Sequence, residues 1–216
     1  MTAKASGPPG RERDTYRHGD LRNALLQAGI ALAREGGPDA IVLREATRRA
    51  GVVPNAAYRH FASRQNLIDA VRAAALAELA RAMEAEMATV PRGGSPADAA
   101  RAGLRAVGQG YLRFAREQQG LFRTTFPFPN DVRGDADPAK AGPGGLNPFQ
   151  LLGLALDRMV VAGLLPPARR PGAEFLAWSA VHGLALLAID GPLRHVPAPF
   201  TAQLGQRLLD MVEQGI

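Results

Sequence analysis

The sequence predicts an all-α protein, and three observations carry that prediction. Forty Ala and 26 Leu make up nearly a third of the 216 residues, and both are strong helix formers. The β-branched and aromatic residues that fill sheets are sparse. Gly and Pro, the residues that punctuate helices, fall in clusters between long breaker-free runs. The length suffices to bury a core, and the absence of Cys excludes disulfides, thiolate metal sites and a Cys nucleophile.

Each element follows in order. Residues 1–19 mix Gly, Pro and charge without an apolar run, which predicts a disordered basic arm rather than a secretory leader. Leu21, Leu25, Ala28 and Leu32 recur at helical spacing, giving a first helix over about 20–35. Asp20 is placed to cap it, and Gly36-Gly37 to stop it. A short helix is expected from Leu43 to Ala50, ended by Gly51, and another from Pro54 to about His60, with Pro54 as its first residue. Ser63 can cap a long Ala-rich helix from Arg64 to Ala88. Ser95-Pro96 opens a fifth helix to about Glu117, and a short sixth is expected over Gly120 to Phe126.

Residues 127–148 hold five Pro and four Gly, a density that predicts a loop with no regular element. Asn147-Pro148 then caps a helix to about Val161. Two more follow, over about 172–189 and 200–213. The most apolar stretch, Phe175 to Ile189, is 15 residues long. A spanning helix needs about 20. The sequence therefore predicts a soluble, cytoplasmic protein with no membrane partner.

The formal net charge is +6, from 24 Arg and only two Lys against 20 acidic residues. A basic balance alone admits nucleic acid, anionic membrane or acidic ligands. Its distribution is more telling: residues 1–70 carry 11 basic and seven acidic residues, and none is acidic between Glu45 and Asp69. A surface meant for phosphates avoids carboxylates.

That acid-free run contains most of residues 43–61, LREATRRAGVVPNAAYRHF, which read as two short helices joined by a tight turn at Gly51. A helix-turn-helix needs a small residue in the turn, an apolar one after it (Val52), and a short exposed second helix able to enter the major groove. Pro54, Asn55, Tyr58, Arg59 and His60 are its expected exposed residues. The two-helix pattern alone fits equally well a helical hairpin with a solvated basic face.

The run from Gly37 to Leu67 resembles the DNA-binding domain of TetR-type transcriptional regulators. The resemblance rests on Gly37, Arg44-Glu45, Gly51-Val52, Tyr58-Arg59-His60-Phe61, Arg64 and Leu67, without a gap over 31 residues. A second stretch, Trp178-Ser179-Ala180-Val181-His182-Gly183, resembles the Trp/His/Gly signature of one subgroup's C-terminal domain. The lead-in from Tyr16 to Leu21 is similar to that subgroup too. Three positions depart from the family pattern: Val42 and Val53 replace expected hydroxyl residues, and Ala46 replaces a larger aliphatic. Arg44, Arg48 and the basic arm are candidates to compensate.

The resemblance implies a helix-turn-helix domain over 20–66 and a helical regulatory and dimerisation domain over 67–216, with a flexible loop at 127–147. It implies a homodimeric repressor that binds a near-palindromic double-stranded DNA operator and is released by an unknown small-molecule effector. Tyr58, His60 and Arg64 would contact phosphates. Asn55 and Ala56 would face base edges, since Asn suits adenine and the Ala methyl suits thymine. Arg44 would reach a phosphate or a guanine. Phe61 is expected in the core, and Arg48 and Arg49 stand open between a DNA role and a solvated face.

In the C-terminal half, Phe122, Trp178 and His182 are the candidate pocket residues, with a satisfied core histidine as the other reading of His182. Leu176, Ala180, Gly183 and Leu187 form a small-residue stripe expected to meet Leu204 and Leu208 in a dimer, with packing against the fifth helix as its alternative. The four His, at 18, 60, 182 and 195, have no metal-ligand spacing. No catalytic constellation, metal or cofactor is expected. A helical ligand- or protein-binding module, and a nonspecific nucleoid-type DNA binder, are the competing classes.

Overall fold

Nine α-helices and three single 3-10 turns account for the regular structure in a computed structural model that describes residues 18–91, 93–126 and 136–216, with no strand among them. The helices are α1 (His18–Gly36), α2 (Leu43–Arg49), α3 (Pro54–Ala57), α4 (Arg64–Ala88), α5 (Pro96–Glu117), α6 (Gln119–Thr125), α7 (Pro148–Val161), α8 (Ala173–Ile189) and α9 (Ala198–Gly215). The all-α prediction stands.

Local chemistry fixes most boundaries. The Ser63 hydroxyl accepts the Asn66 N–H at 3.1 Å and starts α4. Ser95 with Asp98, and Asn147 with Gln150, form reciprocal capping boxes that start α5 and α7, each with Pro at the first helical position. Gly37, at φ 72°, turns the chain out of α1 and donates to the Ala33 carbonyl at 2.8 Å.

Three expectations need correction. The helix α1 starts at His18, so Asp20 lies inside it rather than capping it, and the expected arm loses its last two residues to the helix; the rest of the arm lies outside the described residues. The third helix stops at Ala57 instead of His60. Beyond it the N–H groups of both His60 and Phe61 point to the Ala57 carbonyl at 2.9 Å, turning the chain so that Phe61 enters the core and Ser63 can open α4. The Pro/Gly-rich loop is also less irregular than its composition suggests, although residues 127–135 lie outside the described set. Pro138–Lys140 form a 3-10 turn, and Gly144 N–H donates to Glu84 of α4 at 3.0 Å. A Cβ on Gly142 or Gly144 would come within 2.8 Å of the Glu84 carboxylate. Close approach to α4 accounts for these glycines.

The long helix α4 is the spine. Its buried stripe of Leu67, Val71, Ala75, Leu79 and Met83 serves the N-terminal helices at one end and the C-terminal ones at the other. At about 1.5 Å per residue its 25 residues reach roughly 37 Å. The helix α5 lies tight against it: a Cβ on Gly110 would sit 2.5 Å from Met83 Cα. The short helix α6 joins the two halves. Gly120 packs directly on the carbonyls of Ala33 and Arg34, where no side chain fits, and Arg34 reaches across to Glu78 at 2.9 Å and Gln118 at 3.3 Å. Among the described residues no helix is long and apolar enough to cross a membrane.

Candidate functional site

Two sites emerge, one at each end of α4. At the first, α2 and α3 pack on α1 through small side chains, with Ala46 and Ala57 wholly buried. Alanine at 46 lets α2 lie close, which gives the third departure from the family pattern a packing reason. Gly51 takes φ 67°, and a Cβ there would meet nothing within 4 Å. Its need is therefore conformational rather than steric. Val42 caps α2 without any side-chain bond, so the first N–H groups of α2 have no side-chain oxygen from that position.

The exposed surface beside the turn carries Arg44, Val53, Asn55, Tyr58 and Arg59, with Tyr58 55% and Val53 68% exposed. Ala56 and His60 are half-buried. Phe61 is core, with the Arg22 guanidinium 5.2 Å above its ring. Arg48 and Arg49 are occupied. Glu45 accepts from Arg48 at 2.7 and 2.8 Å and from Arg49 at 3.0 Å, while Glu35 takes the other face of Arg49 at 2.6 and 2.8 Å. These guanidinium hydrogen bonds hold the Glu45 carboxyl down at about 2. Arg44 and Arg59 make no ion pair among the described residues, so their charge faces outward uncompensated.

Arg64 is engaged in a different way from a side chain waiting for phosphate. Its Nε donates to the Ile41 carbonyl at 2.6 Å, and one Nη donates to Pro38 and Asp39 carbonyls at 3.0 and 3.3 Å. It ties the segment between α1 and α2 to the start of α4.

The second site lies between α5, α7 and α8. Tyr111 is buried and its hydroxyl bridges two side chains of α8. Trp178 Nε1, which can only donate, gives its proton to the Tyr111 oxygen at 3.1 Å. Assigning the phenolic hydrogen to His182 Nδ1, 2.7 Å away, lets the hydroxyl both accept and donate and puts the His182 proton on Nε2. Burial lowers the His182 pKa and raises that of Tyr111. Phe122 and Phe126 stack around this chain, with Phe122 centred 5.6 Å from both Tyr111 and His182 and Phe126 5.1 Å from Trp178.

A cavity of about 70 Å³ opens beside Trp178. Of the three expected pocket residues Trp178 lines it, whereas Phe122 and His182 stand behind its wall. His182 is thus nearer the satisfied core histidine. Tyr111, Phe126, Phe149 and Leu209 line the cavity without having been singled out from the sequence. A signal was available: Gly103, Gly108 and Gly110 thin the middle of α5, where a long helix ordinarily avoids glycine.

The small-residue stripe on α8 is only partly covered by the described residues: Ala180 touches the core from its edge. Leu176 is 65% and Leu187 44% exposed, Ala180 and Gly183 lie half-buried between them, and Leu204 and Leu208 of α9 are also half-buried. The side of α8 buried in the chain's own core carries Ala177, Val181, Ala185 and Ile189, with Ala180 at its margin.

A helix-turn-helix head carried on a long helix, followed by a helical body with an internal cavity, defines a transcription regulator. The chain belongs to the TetR family of bacterial regulatory proteins. A family model described as "Bacterial regulatory proteins, tetR family" matches residues 25–71, and one described as "Tetracyclin repressor-like, C-terminal domain" matches residues 104–212, half of the chain. Among solved structures, a protein of unknown function from Rhodococcus sp. RHA1 is similar with TM-score 0.70 and 25% identity, over 94% of this chain and 99% of that one. The TetR-family regulator PfmR from Thermus thermophilus is similar in fold, with TM-score 0.52 and 19% identity over 89% and 98% of the two chains. A transcriptional regulator from Rhodococcus sp. RHA1 shares the fold with TM-score 0.51 and 22% identity over 90% and 96%. No curated protein matches the chain.

Proposed function

We propose that this TetR-family chain is a cytoplasmic repressor that binds a near-palindromic DNA operator as a homodimer and leaves it when a small-molecule effector binds. The observation that carries the reading is the exposed surface of Arg44, Asn55, Tyr58 and Arg59 around a tight turn at the head of α4. In a dimer two such surfaces would address half-sites about 34–36 Å apart or a multiple of that.

Within residues 20–66, Arg44, Tyr58 and His60 are assigned to phosphates, and Asn55 with Ala56 to base edges. Arg64 positions the α1–α2 segment first and contacts phosphate second. Residues 67–216 form the regulatory and dimerisation domain. The exposed stripe of Leu176, Ala180, Gly183 and Leu187, with Leu204 and Leu208, is the dimer face. Trp178 touches the effector, and Phe122 and His182 shape the pocket from behind. Supporting the Trp/His/Gly subgroup is the shared partner of Trp178 and His182, the Tyr111 hydroxyl.

A salt-dependent gel shift of a fragment from the gene's own upstream region, followed by footprinting, tests the reading. A protected palindrome supports it. Equal affinity for scrambled DNA points to a nonspecific binder, and no binding at low salt points to a helical module of another kind.

A further inference from the structure

The cavity beside Trp178 and an open groove between α5, α8 and α9 share one wall residue, Leu209. The cavity, at about 70 Å³, is small for a site that holds a ligand, since such pockets span about 300–1,000 Å³. The groove on the other side holds about 430 Å³ and is rimmed by the exposed Ala202 and Gln206. Leu209 lies in the space that Gly108 leaves: a Cβ on Gly108 would overlap a Leu209 methyl group. One turn earlier in α9, Gly205 faces Leu112. Leu209 is thus a leucine of α9 packed on the glycine-thinned middle of α5, and a change of its rotamer would join the two spaces.

The charge of the inner cavity settles what can reach Trp178. Arg105 and Lys140 are the charged residues lining the inner cavity. Arg105 is already paired with Asp210 and, at 3.0 Å, with Glu213; Lys140 has Asp137 at 3.9 Å. The Tyr111 hydroxyl is used on both sides, by Trp178 and by His182. Within the inner cavity an anion would give up its water for no unpaired cation, and a cation would meet only occupied carboxylates. In the groove Arg113 and Arg116 are paired with Glu86 and Glu117, and Arg194 stands at the exposed rim, away from Trp178. The remaining wall is mainly aliphatic and aromatic.

We propose that the site takes an uncharged, predominantly apolar molecule, which enters through the α5–α8–α9 groove and reaches Trp178 by displacing the Leu209 side chain. The inference rests on the reading of the C-terminal half as the effector-binding domain. Trp178 is the single tryptophan of the chain, so its emission reports occupancy directly.

The test titrates the full-length protein with hexanol, octanol and decanol, and with decanoate at a pH where the acid is ionised. Decanol should bind at least about tenfold more tightly than decanoate, because a buried carboxylate pays for lost hydration. Each added methylene should tighten binding by about fourfold. Decanoate binding as tightly as decanol, or alcohols binding without dependence on chain length, would overturn the proposed chemistry. Leu209→Ala should speed stopped-flow association and Leu209→Phe should slow it. Ala202→Phe, an exposed substitution at the groove rim that leaves the core intact, should slow association as well. Unchanged association in Ala202→Phe and in either folded Leu209 variant would overturn the route. Operator binding is measured in parallel. A protein that binds DNA but no alcohol refutes the inference and leaves the regulator reading standing. One that binds decanol as described without releasing DNA supports the site's chemistry and counts against the regulatory reading.

Discussion

Arg64 Nε donates to the main-chain carbonyl of Ile41 across 2.6 Å, so the first residue of the long helix holds the entrance to the helix-turn-helix. The same guanidinium reaches Pro38 and Asp39. Removing it should loosen the head before it removes any phosphate contact. Arg64→Ala is expected to lower stability by about 1 kcal/mol, given the partial exposure of these charge-assisted bonds. Thermal unfolding in the absence of DNA checks this. A wild-type midpoint would mean that Arg64 does no structural work.

Arg44 and Tyr58 are the cleaner probes of DNA contact, since both are exposed and neither holds the fold together. Arg44→Ala should leave the thermal midpoint unchanged and reduce the slope of log K against log salt by about 1, as expected for one lost phosphate contact. Tyr58→Ala should weaken binding to all sequences alike. Asn55→Ala should instead cost about 1–3 kcal/mol at one base pair and relax the preference there. Binding that survives all three changes would remove α3 from the interface.

Glu45 binds Arg48 and Arg49 together, and its carboxyl sits at about 2 rather than near 4.5. A depressed carboxylate stabilises the folded state above its unfolded pKa, and that contribution fades as pH falls from about 4.5 toward 2. Wild-type thermal midpoints should therefore drop across this interval. Glu45→Gln should flatten part of the drop while lowering the midpoint near neutrality. Parallel pH profiles in the two proteins would contradict the assignment.

Much of this was legible in the sequence because it is written in local chemistry. Ser63, Ser95 and Asn147 announce helix starts through hydrogen bonds that close within three residues, and the structure uses all three. The end of α3 was harder to read, because it is set by burial of Phe61 rather than by a local stop signal. The engagement of Arg64 with carbonyls more than 20 positions away has no local signature. The cavity is hidden for the same reason: Tyr111, Phe149 and Leu209 come from three separate helices. The need for glycine at 142 and 144 is hidden in the same way, because Glu84 lies far off in sequence.

The exposed leucines of α8, Leu176 and Leu187, lead to a prediction about assembly. Leu187 is exposed beside Gly183, where an added Cβ would meet nothing. A charge placed in an apolar self-complementary face is desolvated twice in a two-fold dimer. Leu187→Glu should shift the protein from dimer to monomer in light scattering while helical content is retained, and operator affinity should fall with it. A dimer that persists in Leu187→Glu and in Leu176→Glu would place the interface elsewhere.

The Tyr111 hydroxyl of α5, finally, is a single group serving two side chains of α8. Tyr111→Phe keeps the ring's volume but leaves Trp178 Nε1 without its acceptor and His182 Nδ1 without its partner. An unsatisfied buried polar group costs about 1–3 kcal/mol, so the variant should unfold at lower temperature and shift the Trp178 emission. His182 adds a pH signature. Burial lowers its pKa in the folded state from the ordinary 6.5, so the unfolded chain takes up protons that the folded one refuses. Stability should be constant above about 6.5 and decline as pH falls from there toward the lower folded value. This decline begins at higher pH than that of Glu45, and the two are separable by substitution. His182→Gln should abolish the upper decline and leave the Glu45 decline in place. If the upper decline survives that substitution, the neutral, Nε2-protonated His182 bound to Tyr111 is the wrong description of this core.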